Sequence, residues 1–339
     1  MTAFKPFLSL AVSGKPLTSE QMRGAMDAIL SGAASDIEIA GFLTALRARG
    51  ETVEEFAAAA EAIRGKALRV EAPPDAIDTC GTGGDGAGTY NISTASALIL
   101  AGCGVPVAKH GNKAASSKSG SSEVLSALGV KLDIEPKLIS RCINEAKVGF
   151  MFAPLHHKAV GNAAGARRGL RVRTLFNVLG PLANPAGAKY QLMGVFSPDL
   201  LRPIAEALPK LGVEAAWIVH GSDGLDEITT TGPTYVAALK GGVVEEFEVT
   251  PEDAGLPRAT MADIKGGGPE ENAAAIRALL EGARGAYRDI AVLNAAGALI
   301  VAGKAANLND AARIAERAID EGAAKAALAR LVEISNSAP

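Results

Sequence analysis

Glycines and hydroxyl side chains dominate the stretch from Asp78 to Thr94, which reads DTCGTGGDGAGTYNIST. Gly81, Gly83 and Gly86 match the spacing G-x-G-x-x-G, which is typical of dinucleotide-binding turns. Such a turn needs an acidic residue about 20 positions further on for the ribose hydroxyl. No Asp or Glu occurs from Gly86 to Ser122. The pattern therefore does not indicate a dinucleotide site.

The same loop is suited to an anion. Glycines allow consecutive backbone N–H groups to converge on one ligand. The letters NISTASALIL then predict an apolar helix that starts near Asn91, Ser93 and Thr94, and the free N–H groups of a helix start favour an anion. A second polar loop, from Lys109 to Ser122, contributes lysines and ends at another predicted helix. Each loop alone could be a plain polar turn, but together they predict a site for a ligand with several phosphates.

Two adjacent carboxylates offer a site for a divalent cation. Asp226 and Glu227 follow the predicted strand AAWIVHG, which places them at the carboxyl edge of the sheet, where α/β proteins bind ligands. Mg²⁺ prefers one or two protein oxygens together with water and substrate phosphates. The pair therefore predicts a Mg²⁺ site that serves the phosphate loops, with a solvated acidic turn as the alternative.

Histidines and arginines supply further candidates. His156 and His157 are adjacent, but no nearby Cys or third His supports a metal site. His110 could act as a general base, and we favour a role as a wall or hydrogen-bonding residue. Four arginines lie close together: Arg167, Arg168, Arg171 and Arg173. One guanidinium could bind a carboxylate, and a solvated helix face is the alternative for the set.

The elements that carry these residues begin with a small all-helical unit of roughly 70 residues. Three helices are predicted from capping boxes, in which a hydroxyl precedes Glu or Gln by three positions: Thr18 to Gln21, Ser35 to Glu38 and Thr52 to Glu55. Their expected ends are Gly32, Gly50 and Gly65. The apolar residues 7–12 are predicted to lead into the first helix. Pro73-Pro74 ends the unit because proline cannot continue a helix.

After this break, short apolar runs alternate with helical segments, which predicts an α/β domain with a mainly parallel central sheet. The strand candidates are AIDTC, VPVAKH, VGFMFA, YQLMGVF, AAWIVHG and TYVAALKGGVVEEFEV. The predicted helices are 93–101, 122–128, 199–211, 271–280, 289–302, 310–321 and 323–334. A long insertion before YQLMGVF predicts two short helices that return to the helical unit and leave a cleft. We thus expect one domain from 1–72 with 156–189, and a second from 73–155 with 190–339.

Composition excludes several classes of protein. The chain has 339 residues, of which 48% are hydrophobic and 4% aromatic, and a net charge of -3, so it lacks the basic surface of a nucleic-acid binder. No apolar run approaches the roughly 18 residues of a membrane helix, and the N-terminal apolar stretch is too short for a signal peptide. The three cysteines are far apart, which favours a reducing compartment. We expect a cytoplasmic protein without a membrane or nucleic-acid partner.

Several blocks together resemble the anthranilate phosphoribosyltransferases: GTGGDG with TYNISTAS, AKHGNKAASSKSGSSEVLSALG, FMFAPLHHKA, RTLFNVLGPLANP, GLDEIT and KGGGPEENA. They occur in order over essentially the whole chain. Enzymes of that family transfer the phosphoribosyl group of phosphoribosyl pyrophosphate to the amine of anthranilate, with release of pyrophosphate, in tryptophan biosynthesis. The resemblance implies Mg²⁺, a homodimer, and a small helical domain hinged to an α/β domain of the kind found in nucleoside phosphorylases and phosphoribosyltransferases.

The resemblance also implies which residues form the site. For phosphoribosyl pyrophosphate these are Gly81, Gly84, Asp85, Thr89, Asn91, Ser93, Thr94, Lys109, His110, Gly111, Asn112, Lys113, Ser116, Ser117 and Ser121. For anthranilate they are Gly81, His110, Asn112, His157 and Arg167, with Arg167 on the carboxylate. The metal ligands are Ser93, Asp226 and Glu227. No general base is assigned, because an aryl amine is uncharged at neutral pH.

Departures from the family pattern lie around the aromatic pocket. Lys113 stands where Arg is usual, Gly169 and Arg171 stand where Glu and Gly are common, and His157 lacks the proline that frequently follows it. These differences bear on the acceptor preference, whereas the phosphoribosyl loops are intact.

Two other functions fit parts of the same sequence. A pyrimidine nucleoside phosphorylase shares the architecture but is usually longer, with an additional C-terminal domain. A relative that only binds nucleic acid or a ligand is disfavoured by the intact site residues and by the acidic net charge.

Overall fold

The structure is a computed structural model that describes residues 4–113 and 118–338. Its N-terminal part consists of four helices: α1 (Lys5–Val12), α2 (Ser19–Leu30), α3 (Asp36–Arg49) and α4 (Val53–Gly65). All three predicted capping boxes are confirmed, since the side chains of Thr18, Ser35 and Thr52 each accept the backbone N–H three residues on. These caps satisfy N–H groups that the helix leaves free, and so define where each helix starts.

The segment before the first capping box differs from its prediction. Residues 7–12 were expected to lead into a helix, but they belong to α1. Pro6 lies in the first turn, where its missing N–H removes no helical hydrogen bond. Phe4 packs edge-on against Phe42 of α3, with ring centroids 5.4 Å apart. This aromatic contact orders a segment whose own apolar run is too short to indicate a helix.

Seven strands of the described residues form one sheet, and the strand candidates are confirmed, except that TYVAALKGGVVEEFEV is divided into two strands by a turn at Gly241-Gly242. The strands are β1 (Ile77–Asp78), β2 (Val107–Gly111), β3 (Val148–Phe152), β4 (Tyr190–Gly194), β5 (Ala215–Gly221), β6 (Thr234–Lys240) and β7 (Val243–Val249). The strand order is β3-β2-β1-β4-β5-β6-β7. The first five strands pair in parallel, and β6 and β7 add an antiparallel hairpin at one edge. The sheet is therefore mainly parallel, as predicted.

The remaining helices lie between the strands, except that the last four follow β7. They are α5 (Ile92–Gly102), α6 (Ser121–Ala127), α7 (Pro136–Glu145), α8 (Ala153–His156), α9 (Ala164–Leu170), α10 (Phe176–Leu182), α11 (Leu201–Ala207), α12 (Pro269–Leu280), α13 (Ala286–Val301), α14 (Leu308–Asp320) and α15 (Ala323–Ser335). Short 3₁₀ turns cover Lys158–Ala163, Pro198–Leu200, Leu208–Leu211 and Pro251–Ala254. Two of these α-helices were not predicted: α7, and α8, which is a third short helix beside the two expected for the insertion. No helix among the described residues is long and apolar enough to cross a membrane.

Two large apolar cores hold these elements together, and a smaller third cluster includes Ala108, Ile139 and Met151. Helices α5 and α13 cover one face of the sheet, and their side chains share a core with Trp217 and Val219 of β5. On the other face, α4, α10 and α11 pack in a core with Ala216 and Ile218. The insertion between β3 and β4 contacts the N-terminal helices: its 3₁₀ turn touches α2, α9 touches α3, and α10 touches α4. The predicted return of the insertion to the helical unit is thus confirmed.

The parallel strands bring distant loops to one edge. β1, β2, β4 and β5 run in the same direction, so their carboxyl ends lie side by side. Three segments consequently meet there: the glycine loop 79–91, the described parts of the loop after β2 (112–113 and 118–120), and the acidic turn 222–233. The insertion leaves the sheet at the same edge, after β3.

Candidate active site

The glycine loop has an irregular backbone that most side chains would not adopt. Gly83, Gly84, Gly86 and Gly88 all have positive φ, between 65° and 79°. This left-handed region is favourable for glycine and strained for L-residues. The loop can therefore turn its N–H groups in directions that a regular strand or helix forbids, as an anion-binding nest requires.

Gly81 is required for a different reason, which is space. A Cβ atom at Gly81 would lie 2.7 Å from Asp226 Oδ2 and 3.3 Å from the carbonyl oxygen of Gly194. The Gly83 N–H donates to Asp226 Oδ2 at 2.6 Å, and the Thr82 N–H donates to Gly194 O at 2.9 Å. The glycine loop is thus packed directly on the acidic turn.

Glu227, the second acidic residue of that turn, reaches the start of α5. Its Oε1 accepts a hydrogen bond from the Ser93 N–H at 3.2 Å. Burial together with the Asp226 charge raises the pKa of Glu227 well above its ordinary value. Burial and the Asp85 charge raise the pKa of Asp226 to about 7. Three carboxylates are therefore gathered where water shields them poorly, and a cation would relieve their repulsion.

These donors fit Mg²⁺. A carboxylate oxygen of Glu227 lies beside Ser93, whose hydroxyl is a further oxygen donor, and Asp226 is the adjacent residue of the turn. Among residues 4–113 and 118–338, no three or more His, Cys, Asp and Glu side chains form a metal-binding group of their own. A small protein ligand set with room for water and phosphate oxygens is what Mg²⁺ uses, in contrast to a closed protein cage.

Lys109 brings a positive charge to the same place. Its side chain is 2% exposed, and Nζ donates to Thr79 O at 3.1 Å and to Ser93 Oγ at 3.3 Å. The ammonium therefore joins the end of β2 to the glycine loop and to the start of α5. A buried cation at this position would attract an anionic ligand strongly, because the local dielectric constant is low.

The polar residues at the start of α5 are tied to other loops. Asn91 Nδ2 donates to Ser119 O at 3.3 Å, and Asn91 Oδ1 accepts from Asn272 Nδ2 at 2.8 Å. Thr94, also predicted for this site, is 1% exposed, and its hydroxyl has no hydrogen-bond partner in the described part of the chain. Thr89 pairs with Lys265 in a single β-bridge.

Those contacts reveal a contribution that the sequence prediction missed. The block KGGGPEENA is part of the family resemblance, but no role was predicted for it. Lys265 Nζ donates to Ala87 O at 2.7 Å, and the Gly266 N–H donates to Gly88 O at 3.0 Å. A Cβ atom at Gly266 would lie 2.6 Å from Thr89 O. This segment therefore packs against the glycine loop and supports its backbone. The only signal in the sequence is its run of glycines, which permits two backbones to approach closely.

The loop after β2 is described in part. Gly111 is the last residue of β2, and a side chain there would meet the Phe150 ring at 2.6 Å. Asn112 and Lys113 are exposed, and Ser121 is the first residue of α6. Ser116 and Ser117 lie outside the described residues.

A cavity of about 290 Å³ opens beside these loops. Four of the five residues predicted for the anthranilate site line it: His110, Asn112, His157 and Arg167. Apolar side chains such as Ile63, Phe176 and Leu179 form much of the remaining wall. Gly81 is not among the lining residues and lies against Asp226. The volume and the apolar wall suit one small aromatic molecule.

Arg167 and Lys158 are the two charged residues that line this cavity, and Arg167 is the one predicted to bind a carboxylate. It lies on α9 with its guanidinium carbon 5.3 Å from the centre of the Phe176 ring. Burial lowers its pKa from the ordinary value. No carboxylate in the described part of the chain forms an ion pair with it. An uncompensated, partly buried guanidinium is suited to a carboxylate supplied by a ligand.

Both cavity histidines are neutral. Burial, followed by the proximity of His157, lowers the pKa of His110 to about 3. Burial likewise lowers the pKa of His157 to about 4. His110 Nδ1 lies 3.0 Å from Gly180 O, and since a carbonyl oxygen accepts, this nitrogen carries the proton. The two rings pack edge-on at 5.1 Å, as wall residues would.

The remaining arginines differ from Arg167. Arg168 and Arg171 are exposed, and Arg171 has a left-handed backbone (φ 51°) just after α9, a position that glycine normally occupies. Arg173 donates to Gly84 O, and its guanidinium lies 4.3 Å from the centre of the Phe196 ring. One of the four thus reaches the cavity and another reaches the glycine loop, so the set is not a uniform solvated face.

Asp78 is a buried acid for which the sequence prediction assigned no role. It accepts from the His110 N–H at 3.1 Å and from Asn184 Nδ2 at 2.7 Å. Burial raises its pKa to about 6, while the Lys109 charge opposes that rise. Asn184 also donates to Ala108 O at 2.9 Å. The end of the insertion is therefore fastened to the strands that carry Lys109 and His110.

Comparison with known proteins agrees with this arrangement. Residues 5–67 match the helical bundle domain of the glycosyl transferase family, and residues 73–325 match its a/b domain. Anthranilate phosphoribosyltransferase from Rhodospirillum rubrum is 59% identical over 330 residues, which are 97% of this chain and 95% of that protein.

Solved structures are similar over the whole length. The crystal structure of anthranilate phosphoribosyltransferase from Thermus thermophilus has a TM-score of 0.92 at 43% identity, covering 98% of this chain and 99% of that one. The Saccharomyces cerevisiae enzyme in complex with phosphoribosyl pyrophosphate and Mg has a TM-score of 0.91 at 28% identity, covering 99% and 98%. With its glycine loop, acidic turn and aromatic-sized cavity, this chain belongs to the anthranilate phosphoribosyltransferase family.

Proposed function

We propose that this protein transfers the phosphoribosyl group of phosphoribosyl pyrophosphate to the amine of anthranilate, giving N-(5-phosphoribosyl)anthranilate and pyrophosphate in tryptophan biosynthesis. One observation carries the proposal. The carboxyl edge of the sheet carries Lys109, Asp226 and Glu227, which suit a polyphosphate with its cation. Beside this edge lies a largely apolar cavity that is lined by Arg167, which has no carboxylate partner in the described part of the chain. The names of the most similar relatives support the same reaction.

In this proposal, the donor substrate lies across the carboxyl edge of the sheet. The glycine loop, the start of α5 and the loop after β2 bind it, through these residues: Gly81, Gly84, Asp85, Thr89, Asn91, Ser93, Thr94, Lys109, His110, Gly111, Asn112, Lys113, Ser116, Ser117 and Ser121. The positive φ values of the loop glycines and the buried Lys109 support this assignment.

Mg²⁺ would be held by Asp226, Glu227 and Ser93. When bound, it would neutralise charge on the pyrophosphate oxygens. The raised pKa values of Asp226 and Glu227 support a cation site, because buried carboxylates without one retain protons. The yeast relative solved with Mg supports the choice of ion.

The chain's own groups account for the chemistry. Loss of pyrophosphate from the anomeric carbon leaves positive charge on the ribose and negative charge on the leaving group. Lys109 and the loop N–H groups would stabilise the leaving group in a region that water reaches poorly. The aryl amine is uncharged and attacks without prior deprotonation. The neutral His110 and His157 would shape the pocket, and Arg167 would hold the substrate carboxylate.

We propose three further properties of this enzyme. Residues 1–72 with 156–189 form a helical domain, and 73–155 with 190–339 form the α/β domain; the packing of the insertion on α2, α3 and α4 supports this division. The protein is a homodimer, as the resemblance to its family implies, and the exposed Val12 of α1 and Ile37 of α3 are apolar side chains that such an interface could cover. It acts in the cytoplasm, which the dispersed free cysteines support.

The decisive experiment follows anthranilate fluorescence with purified protein, phosphoribosyl pyrophosphate and Mg²⁺. We expect loss of the signal only when all three are present, and a constant signal once a chelator is added. Calorimetric titration of phosphoribosyl pyrophosphate with Mg²⁺ provides an independent readout. Absence of both turnover and binding would overturn the proposal, whereas binding without turnover would overturn only the assignment of the acceptor.

A further inference from the structure

The acidic turn between β5 and β6 has no regular secondary structure, yet its backbone is fixed on both sides of Asp226 and Glu227. Two groups outside the dipeptide do this, one on a distant helix and one within the turn. Neither group belongs to β5 or β6, which pair with each other directly. The contacts of these two groups therefore indicate a role in fixing the backbone of Asp226 and Glu227, the dipeptide between them.

Asn294 of α13 holds the residue that follows the dipeptide. Its Oδ1 accepts the Ile228 N–H at 2.8 Å, and its Nδ2 donates to Ile228 O at 2.8 Å. The second Nδ2 proton goes to Ile290 O at 2.9 Å. Asn294 is 1% exposed, so one buried amide satisfies both backbone groups of Ile228 and excludes water from them.

The contact between α13 and Ile228 is also close in space. A Cβ atom at Gly297, which follows Asn294 by one helical turn, would overlap the Ile228 side chain. That side chain is itself fully buried. α13 therefore sets both the hydrogen bonds and the distance of the backbone at Ile228.

Asp223 holds the residue that precedes the dipeptide. Its Oδ1 accepts the Leu225 N–H at 3.1 Å. Its Oδ2 accepts the hydroxyl protons of Thr229 at 2.6 Å and Thr231 at 2.5 Å. One carboxylate thus closes the turn from Leu225 to the threonines beyond Ile228. The two carboxylates between these anchors have little backbone freedom left.

We propose that Asn294, together with Asp223, is a positioning residue that orients Asp226 and Glu227 for a divalent cation. This inference rests on the proposed function of the acidic turn. Both residues act through the turn, so each is expected to affect the cation and to leave the acceptor cavity unchanged. Partners that orient metal ligands typically contribute about 10-fold to 100-fold in metal affinity.

The principal test is Asn294→Ala. Binding of Mn²⁺ in the presence of pyrophosphate is followed by the electron paramagnetic resonance signal of the free ion, which requires no turnover. We expect Mn²⁺ to bind about tenfold more weakly or worse. In the assay, the Mg²⁺ concentration for half-maximal rate rises by the same factor, and KM for anthranilate stays within about twofold.

A second variant approaches the turn from its other side. Thr229→Val keeps the side-chain shape and removes a hydroxyl from Asp223 Oδ2, so it tests the inference even if Asn294→Ala does not fold. We expect the same direction of change, with a smaller loss of Mn²⁺ affinity. The Thr229 hydroxyl supplies only one of the two hydroxyl contacts that Asp223 accepts.

Leu293→Ala is the matched control, because Leu293 is a buried neighbour on α13 and its loss lowers stability through a cavity. We expect a lowered melting temperature with unchanged Mn²⁺ affinity. Unchanged Mn²⁺ binding in both test variants, or an equal loss in Leu293→Ala, would overturn the inference. Absence of both turnover and phosphoribosyl pyrophosphate binding in the unaltered protein would instead overturn the proposed function.

Discussion

The phosphate edge, which is the carboxyl edge of the sheet with the glycine loop and Lys109, differs in construction from the acceptor cavity around Arg167. At the phosphate edge, backbone groups, glycines and buried polar side chains contact one another closely, as Gly81, Asp226 and Lys109 do. The acceptor cavity has an apolar wall with a single uncompensated guanidinium, that of Arg167. The edge therefore depends on the path of the backbone, whereas the cavity depends on individual side chains. Substitutions are expected to be severe and general in the first region, and graded and specific in the second.

The largest effect is expected for Gly194→Ala at the end of β4. A methyl group there would overlap the carbonyl of Asp226, so the acidic turn must move by roughly 1 Å or more. We expect the rate at saturation to fall by at least about a hundredfold. Steady-state kinetics with both substrates measures this loss.

Gly65→Ala is the control for that substitution. Gly65 ends α4, and a methyl group there meets nothing within 4 Å. Alanine is also the better helix former, by up to about 1 kcal/mol. We expect unchanged kinetics and an equal or higher melting temperature. A mild phenotype for Gly194→Ala would show that the phosphate edge tolerates backbone movement after all.

Arg167→Ala tests the acceptor cavity. A charge-assisted hydrogen bond contributes about 1.5–3 kcal/mol, so we expect KM for anthranilate to rise by roughly 10-fold to 100-fold. Binding of phosphoribosyl pyrophosphate, measured by calorimetry, should change by less than about twofold. Arg168→Ala, an exposed neighbour, is the control. An equal loss for both substrates would remove Arg167 from its assigned role.

Change of pH also separates the two regions. The pKa of Asp226 is raised to about 7, so without metal this carboxyl keeps its proton below neutral pH and the cation must displace it. Lowering the pH from 8 to 6 is expected to raise the Mg²⁺ requirement by about tenfold. His110 and His157, with pKa values of about 3 and 4, stay neutral throughout this range.

The pH experiment measures the Mg²⁺ concentration for half-maximal rate and KM for anthranilate in the same titrations. We expect KM to vary little, because the cavity histidines do not titrate in this window. A Mg²⁺ requirement that is independent of pH would contradict a protonated, metal-free acidic turn.

The smallest effect concerns charge around the cavity. Residues 146–198 contain seven Lys or Arg and no Asp or Glu, although the whole chain is acidic. Exposed cations attract an anionic substrate over a distance that salt shortens. We expect Arg171→Glu to lower kcat/KM for anthranilate by about threefold at low salt, and by less at high salt. Arg313→Glu on α14, also exposed, is the control that should leave kcat/KM unchanged.

Much of this arrangement is predictable because its signals are local. A capping box defines a helix start within four residues, and the three predicted boxes all occur. Apolar runs between turns indicate every strand, and parallel strands must place their carboxyl ends together. Strand direction alone is therefore enough to bring the glycine loop and Asp226 to the same edge.

The rest depends on contacts between distant parts of the chain. Asn294 lies in an Ala-rich helix, and no local pattern relates it to Ile228. The pairing of Asp78 with Asn184 joins a strand to the far end of the insertion, so it exists only once the sheet has formed. A tertiary contact also explains α1, because Phe4, which immediately precedes this helix, packs against Phe42 of α3. Local secondary-structure propensity does not predict contacts between residues that are far apart in the sequence.

The insertion between β3 and β4 supplies most of the acceptor cavity, which matters for engineering. Arg167, His157 and Phe176 all belong to this single stretch of chain, whereas the phosphate edge draws on segments scattered from residue 78 to residue 272. Acceptor recognition is therefore concentrated largely in one contiguous segment, to which Ile63, His110 and Asn112 are added from outside. Exchanging residues 153–183 between relatives is therefore expected to change the aromatic specificity, provided that Arg173, which donates to Gly84 O of the glycine loop, is kept. The Asp78–Asn184 hydrogen bond marks where the exchanged segment must end.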